Sequence, residues 1–161
     1  MVFDSAPLTW YTLARIRDGE EALTRIIATE SVGQQRHTLR RTIAEALRRL
    51  ATKQTFDQES LDLASLIVFS LRRLEEGVEQ TATAWENRDY YLKADRFRRE
   101  WEWLEGTSYA LESALLLGNH DRLPEILATL FPRFADITIG RYTRSSELWE
   151  GCYRRLQEGR S

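Results

Sequence analysis

The sequence predicts an all-α protein, a helical bundle of five or six helices around a long antiparallel helical hairpin formed by residues 57–86 and 90–117. Three observations lead to this prediction. Prolines are absent from residues 8–123, so nothing there prevents long helices. Apolar residues recur at helical spacing along most of the chain, and no stretch of strand length alternates β-branched with polar residues.

The composition is typical of one folded domain spanning residues 1–161. Of the 161 residues, 42% are hydrophobic and 30% are charged, which suits a globular protein with a real core. The formal net charge of −2 does not favour binding of a polyanion to the whole molecule. The apolar runs are far too short to cross a membrane, and the amino terminus lacks the pattern of a secretory signal, so we expect a cytoplasmic protein without membrane contact.

The first helix is predicted to begin near Pro7 and to continue toward residue 30. Proline suits the first turn of a helix because its missing N–H would be unpaired there in any case. An apolar stripe then runs from Leu8 through Ile16 to Ile27.

A second helix is predicted over residues 34–52, where Leu39, Ile43 and Leu47 recur at helical spacing. Five arginines surround this apolar stripe: Arg36, Arg40, Arg41, Arg48 and Arg49. Guanidinium groups recognise phosphate, so these five residues are candidate contacts for nucleic acid. The other interpretation, which we favour, is a solvated helix face with ion pairs.

The first arm of the hairpin is predicted over residues 57–86. Thr55 and Gln58 fit a capping box, in which hydroxyl and amide groups bond to the first N–H groups of a helix. Residues 61–71 are apolar on every face, which predicts that this half of the helix is buried on all sides.

The second arm, residues 90–117, follows a short turn at residues 87–89 and is predicted to be one continuous helix. Folding the arms at this turn places residues 61–71 beside residues 105–117, so the two most apolar segments meet. Apolar residues along the second arm step by alternating four and three, which is a heptad seam. The seam consists of Tyr90, Ala94, Phe97, Trp101, Leu104, Ser108, Leu111 and Leu115.

A second stripe lies on the same predicted helix and contains Trp103, Gly106, Ala110, Ser113 and Leu117. Trp101 and Trp103 are separated by roughly 200° around a helix axis, so we expect their side chains to face different neighbours. Either another helix of the same chain or a second copy of the protein is expected to cover this second stripe.

Two shorter helices are predicted after the hairpin. One follows Asp121 and has Pro124 in its first turn, and the other begins at Ser145 or Ser146 and ends at Gly159.

Motifs for catalysis or metal binding give no positive prediction. Neither His37 nor His120 has a glutamate three residues before it, which excludes the Glu-x-x-His pairs of di-iron helical bundles. Cys152 is the single cysteine and lies on an apolar helix face, where a buried, unreactive thiol is the favoured interpretation. We therefore expect no cofactor, no metal ligand and no catalytic residue.

Clustered acidic residues give one hypothesis for an enzyme. Five carboxylates lie close together at the end of the first arm, on Glu75, Glu76, Glu79, Glu86 and Asp89. All-α, Mg²⁺-dependent nucleotide pyrophosphohydrolases use such carboxylates on neighbouring helices to hold the metal over a phosphate chain. Here all five lie on one helix or at its end and cannot face each other across a cleft, so a solvated acidic face is favoured.

The aromatic content favours a role in binding. Five Trp and six Tyr are many for this length, and these residue types, together with Arg, dominate the energetics of interfaces. We expect a non-enzymatic helical interaction or scaffold protein that forms a homodimer or joins another protein. The candidate contacts lie on the second stripe and at the turn end of the hairpin: Trp103, Gly106, Ala110, Trp85 and Tyr91. The alternatives are a nucleic-acid-associated protein using the helix at 34–52, and the phosphohydrolase.

Overall fold

The structure is a computed structural model that describes residues 31–159. Within this range the chain forms helices and no strand, which confirms the all-α prediction. Six α-helices and three short 3₁₀ helices follow one another along the described residues. The predicted first helix, from Pro7 toward residue 30, lies outside them.

Helix α1 spans Val32–Thr52 and begins at a capping box. The hydroxyl of Ser31 accepts the backbone N–H of Gln34 at 3.3 Å, and the Gln34 side chain accepts the backbone N–H of Ser31 at 3.1 Å. These two bonds satisfy N–H groups that have no partner inside a helix, which fixes the start of α1 two residues before the predicted one.

Helix α2 spans Gln58–Glu86, close to the predicted first arm, but the predicted capping residue is wrong. Asp57, not Thr55, caps the helix: its carboxylate accepts the backbone N–H of Ser60 at 3.0 Å, and the Ser60 hydroxyl accepts the backbone N–H of Asp57 at 3.2 Å. The capping residue lies two positions after the predicted Thr55, and the charged carboxylate of Asp57 is a strong acceptor at a helix start.

Helices α1 and α2 are joined by a short connection and pack antiparallel. A methyl group of Val32, in the first turn of α1, lies 3.7 Å from the position that a Cβ on Gly77 would take. The guanidinium of Arg36 donates to the hydroxyl of Thr81 at 2.8 Å. Helix α2 therefore continues about nine residues, or about 13 Å, past the level of Val32.

The second arm packs antiparallel against α2, as two ion pairs show. Arg98 pairs with Glu86 near the turn, and Arg72 pairs with Glu112 far from it. The turn itself contains Asp89, whose φ of 64° lies in the left-handed region. The apolar ends of the two arms therefore lie side by side, away from the turn.

The prediction that the second arm is one continuous helix is wrong. It consists of α3 (Tyr91–Trp101) and α4 (Trp103–Leu116), interrupted at Glu102. The N–H of Glu102 bonds to the carbonyl three residues back, as in a 3₁₀ turn, which advances about 120° per residue rather than 100°. The indole rings of Trp101 and Trp103 stack, with centroids 6.1 Å apart. Each ring also has a neighbour of its own: Trp101 meets Phe97 edge to face, and Trp103 meets Phe134.

The core lies between α1, α2, α4 and the C-terminal elements. Residues 61–71 are almost completely buried, as predicted for a segment apolar on every face. The heptad seam is buried at Ala94, Leu104, Ser108, Leu111 and Leu115 and half-buried at Phe97 and Trp101, while Tyr90 is exposed next to the turn. The largest fully buried apolar side chains are those of Ile43, Leu63, Ile67, Leu71, Leu74, Leu104, Leu111, Leu115, Leu123 and Leu130.

Short helices complete the described part of the chain. After α4 come a 3₁₀ helix at His120–Arg122, helix α5 at Leu123–Ala128, 3₁₀ helices at Phe131–Phe134 and Ser146–Leu148, and helix α6 at Cys152–Glu158. The helix predicted from Ser145 or Ser146 to Gly159 is interrupted because Gly151 adopts a left-handed φ of 78°.

Candidate interaction surfaces

The arginines of α1 hold a segment of the same chain. Arg48 donates to the carbonyl oxygen of Ile139 at 2.5 Å, and Arg40 pairs with the carboxylate of Asp136 at 2.7 Å. This pair keeps the pKa of Asp136 below its ordinary value, mainly through the hydrogen bond from Arg40. Both contacts join residues more than 90 positions apart in the chain.

Two further arginines bind the same segment. Arg41 donates to the carbonyl oxygen of Arg141 at 3.4 Å, and Arg49 donates to that of Arg144 at 3.2 Å. The guanidinium of Arg49 also lies 4.1 Å from the centre of the Tyr142 ring, a cation–π distance.

Arg36, the fifth predicted nucleic-acid residue, is also used inside the chain. Besides donating to Thr81, its guanidinium lies 4.9 Å from the centre of the Phe97 ring. Burial lowers its pKa from the ordinary value, and the opposing charge of Glu100 offsets this only in part. These internal contacts favour a structural role for the arginines, because a phosphate would have to compete with them.

Glu45 lies at the centre of this set of contacts. Its side chain is only 1% exposed. It accepts the backbone N–H of Thr143 at 3.0 Å, the hydroxyl of Thr143 at 2.6 Å and the backbone N–H of Arg144 at 3.1 Å. Burial opposes ionisation of the carboxyl, but the hydrogen bonds from Thr143 and Arg144 together outweigh it, and the pKa of Glu45 lies below its ordinary value. We use the name α1 clamp for Glu45, Arg40, Arg41, Arg48 and Arg49 together with residues 136–144, which they hold.

Three of the five acidic residues of the enzyme hypothesis line a groove of about 550 Å³ between the two arms, while Glu86 and Asp89 lie outside it. Glu75, Glu76 and Glu79 lie on α2, and Glu102 and Glu105 line the groove from the opposite arm, as do the basic residues Arg72 and Arg98. The sequence interpretation missed Glu102 and Glu105, since only the fold of the hairpin brings them across from α2. Acidic residues of the two arms therefore lie on both sides of one groove. From the sequence, acidic residues were expected on one helix only.

The pKa values of the groove's carboxyl groups are shifted in opposite directions at its two ends. Burial raises the pKa of Glu75, and the nearby charges of Glu105 and Glu76 raise it further. Toward the turn, hydrogen bonds from Arg98 lower the pKa of Glu79 and also that of Glu86, which lies outside the groove. Within residues 31–159, no group of three or more His, Cys, Asp or Glu side chains is placed to hold a metal ion.

Trp85 and Tyr91, predicted as contacts, lie together at the turn end of the hairpin. They line an open groove of about 600 Å³ that also includes Phe97. The Trp85 and Phe97 rings meet edge to face at 5.0 Å, and the ammonium of Lys93 lies 4.3 Å from the centre of the Trp85 ring. Aromatic surface is thus exposed at this end of the molecule, bordered by the basic residues Lys93 and Arg96 and the acidic residues Asp89 and Glu100.

The second predicted stripe is divided by the structure. Trp103 is covered within the chain: its ring meets Phe134 edge to face at 6.0 Å, and the guanidinium of Arg133 lies 4.9 Å from the ring centre. Gly106 is exposed, and a Cβ built on it would meet no described atom within 4 Å. Ala110 is half-buried beside it.

The exposed part of α4 includes a residue that the sequence interpretation missed. Tyr109 lies next to Ala110 and is 70% exposed, and Leu117, at the end of the stripe, is 66% exposed. The helical spacing of Tyr109 from Gly106 and Ser113 was a usable signal, because residues three and four apart share a face. We call Gly106, Tyr109, Ala110, Ser113 and Leu117 the outer face of α4.

Comparison of the chain with known protein families, with curated proteins and with solved structures gave no match in any of the three. No helix in the described range of 31–159 has the length and apolar character needed to span a membrane.

Proposed function

We propose that the protein is a non-catalytic helical scaffold that self-associates through the outer face of α4. The observation that carries this proposal is the exposure of Tyr109 and Leu117, the two most exposed large hydrophobic side chains among the described residues. An exposed apolar patch on a soluble domain usually marks a contact surface, since leaving it in water costs free energy.

The composition of the outer face suits a second helix. Gly106, Ala110 and Ser113 are small, which allows a neighbouring helix axis to approach closely, while the flanking Tyr109 and Leu117 provide side chains that fill the space on either side. None of the five residues of this face is charged.

A second copy fits this face in an antiparallel arrangement around a two-fold axis at Ser113. In such an interface the same patch meets itself, so each contact occurs twice. Tyr109 and Leu117 lie four residues on either side of Ser113. The Tyr109 ring of one copy therefore meets Leu117 of the other. Because α4 is only about 21 Å long, we expect a dimer that dissociates on dilution rather than an obligate one.

The other two hypotheses receive less support. A nucleic acid would compete with internal partners for the arginines of the α1 clamp. A Mg²⁺ site would need ligands grouped for a metal, and the described residues provide none. The proposal of self-association requires no rearrangement of the described helices.

The test is the solution mass measured by sedimentation equilibrium over a range of protein concentrations. We expect the wild-type mass to rise toward that of a dimer with concentration, and the double variant Tyr109→Ser/Leu117→Ser to stay monomeric. Tyr91→Ser is the matched control, because it removes an exposed tyrosine from the turn end and should leave the dimer intact. A wild-type protein that is monomeric throughout, or a double variant that still dimerises, would overturn the proposal.

A further inference from the structure

The strap, our name for residues 137–145, is held on α1 through groups that every peptide carries. Thr143 and Arg144 donate their backbone N–H groups to the carboxylate of Glu45, at 3.0 and 3.1 Å. Three carbonyl oxygens of the strap accept hydrogen bonds from arginines of α1, namely those of Ile139, Arg141 and Arg144. These contacts need the backbone groups of a non-helical segment but no particular side chain, so this face of α1 is a surface that binds a short peptide.

Arg144 supplies the side chain that makes this surface selective. Its guanidinium donates through Nε to the hydroxyl of Thr42 at 3.1 Å, through Nη1 to the carboxylate of Glu45 at 3.4 Å, and through Nη2 to the carbonyl oxygen of Thr38 at 3.2 Å. All three nitrogens therefore have an acceptor on α1. A lysine could not make this set of bonds, because only the guanidinium is a planar fork of donors.

The three acceptors are arranged by α1 itself. Thr38, Thr42 and Glu45 follow one another at spacings of four and three, which places them on one face of the helix. The hydroxyl of Thr42 donates to the carbonyl oxygen of Thr38 at 2.9 Å, so its lone pairs remain for the guanidinium. Thr42 and Glu45 are each only 1% exposed, and hydrogen bonds are stronger in such a buried environment than at the surface.

The strap has little apolar anchoring. Among its residues only Ile139 is buried, and its backbone has no regular structure. Segments of this kind can open on their own while the helices around them stay folded. When the strap leaves, Arg41 still lies beside the carboxylate of Glu45, at 3.6 Å, so the buried charge keeps a partner.

We propose that this face of α1 is a binding site for an arginine-bearing peptide of a partner protein, and that the strap blocks the site as an internal ligand. The peptide Tyr-Thr-Arg-Ser, which repeats residues 142–145, carries both N–H groups and the guanidinium that Glu45 binds. A partner must wait for the strap to open, so its apparent affinity falls by the fraction of molecules in which the strap is open. Loosening the strap should therefore strengthen binding.

Isothermal titration calorimetry of the full chain with acetylated and amidated Tyr-Thr-Arg-Ser tests this inference. Arg144→Ala empties the guanidinium position and leaves the acceptors of α1 in place, so it should bind the peptide roughly tenfold or more tightly than the wild type does. A peptide with citrulline in place of arginine keeps the shape and loses the charge. It should bind Arg144→Ala roughly tenfold or more weakly than the arginine peptide.

A second loosened variant, Ile139→Ala, removes the apolar anchor and keeps every polar group of the site. It should also bind the arginine peptide more tightly than the wild type does, and it carries the test alone if Arg144→Ala does not fold. Circular dichroism checks the helical content of each variant. The inference is overturned if the loosened variants bind the arginine peptide no better than the wild type, or if the citrulline peptide binds as well as the arginine peptide. The sedimentation experiment reports on the outer face of α4, so the two proposals can fail separately.

Discussion

The carboxylate of Glu45 accepts both the backbone N–H and the hydroxyl of Thr143, at 3.0 and 2.6 Å. The two residues are 98 positions apart, so this contact fixes the irregular segment before the C-terminal helix against the first described helix. The guanidinium of Arg144 also lies 3.4 Å from this carboxylate and completes its neutralisation. The clamp is therefore a buried, hydrogen-bonded charge network rather than a surface ion pair.

We predict that Glu45→Ala lowers the free energy of unfolding by about 3–5 kcal/mol, since it leaves a half-buried guanidinium and two backbone N–H groups without their acceptor. Urea titration followed by circular dichroism measures this change. Glu76→Ala is the control: Glu76 is exposed and pairs with Arg73 at 3.4 Å, so its loss should cost less than about 1 kcal/mol. Equal losses in the two variants would show that the clamp does not stabilise the fold.

The lowered pKa of Glu45 predicts how stability depends on pH. A carboxyl with a lower pKa in the folded state stabilises the protein fully above the ordinary value of 4.5, and this contribution is lost as the pH falls through the folded pKa. Glu45→Gln removes the contribution. We therefore expect the unfolding free energies of wild type and variant to differ most near neutral pH and to converge in acid. A difference that stays constant as the pH falls below 4.5 would contradict this assignment.

The turn of the hairpin gives a prediction about backbone conformation. Asp89 has a φ of 64°, which costs a residue with a Cβ roughly 1 kcal/mol more than glycine. We expect Asp89→Gly to be more stable than Asp89→Ala by about 1 kcal/mol in thermal or urea unfolding. The order should reverse at Asn87, whose φ of −63° is right-handed, because alanine is favoured over glycine there. The same order at both positions would contradict the described turn.

Local sequence patterns were sufficient to predict the helices and the core but not the helix interruptions. The seam residues from Ala94 to Leu115 turned inward as predicted, because their burial depends on spacing alone. The interruption at Glu102 could not be predicted, since no Gly or Pro marks it. It accompanies the stacking of Trp101 on Trp103 and the packing of Trp103 against Phe134, contacts that exist only after folding.

The candidate surfaces were predicted only in part for a similar reason. Gly106 and Ala110 were identified because they share a helix face, and the exposed Tyr109 lies on the same face. The α1 clamp was not identified, although Glu45 is the only acid among the arginines of α1. Its partners, Thr143 and Arg144, lie in a segment without regular structure, where periodicity carries no information about contacts.

Disulfide trapping at Ser113 tests the proposed self-association most directly. The single native cysteine, Cys152, is buried, so Ser113→Cys adds a half-buried thiol at the centre of the outer face of α4. If the two-fold axis passes at Ser113, the two Cα atoms lie within about 7 Å, and mild oxidation should convert the protein into a covalent dimer. Gln80→Cys, exposed on α2, should remain monomeric under the same conditions. A Ser113→Cys protein that stays monomeric, or that cross-links no faster than Gln80→Cys, would contradict the proposed dimer.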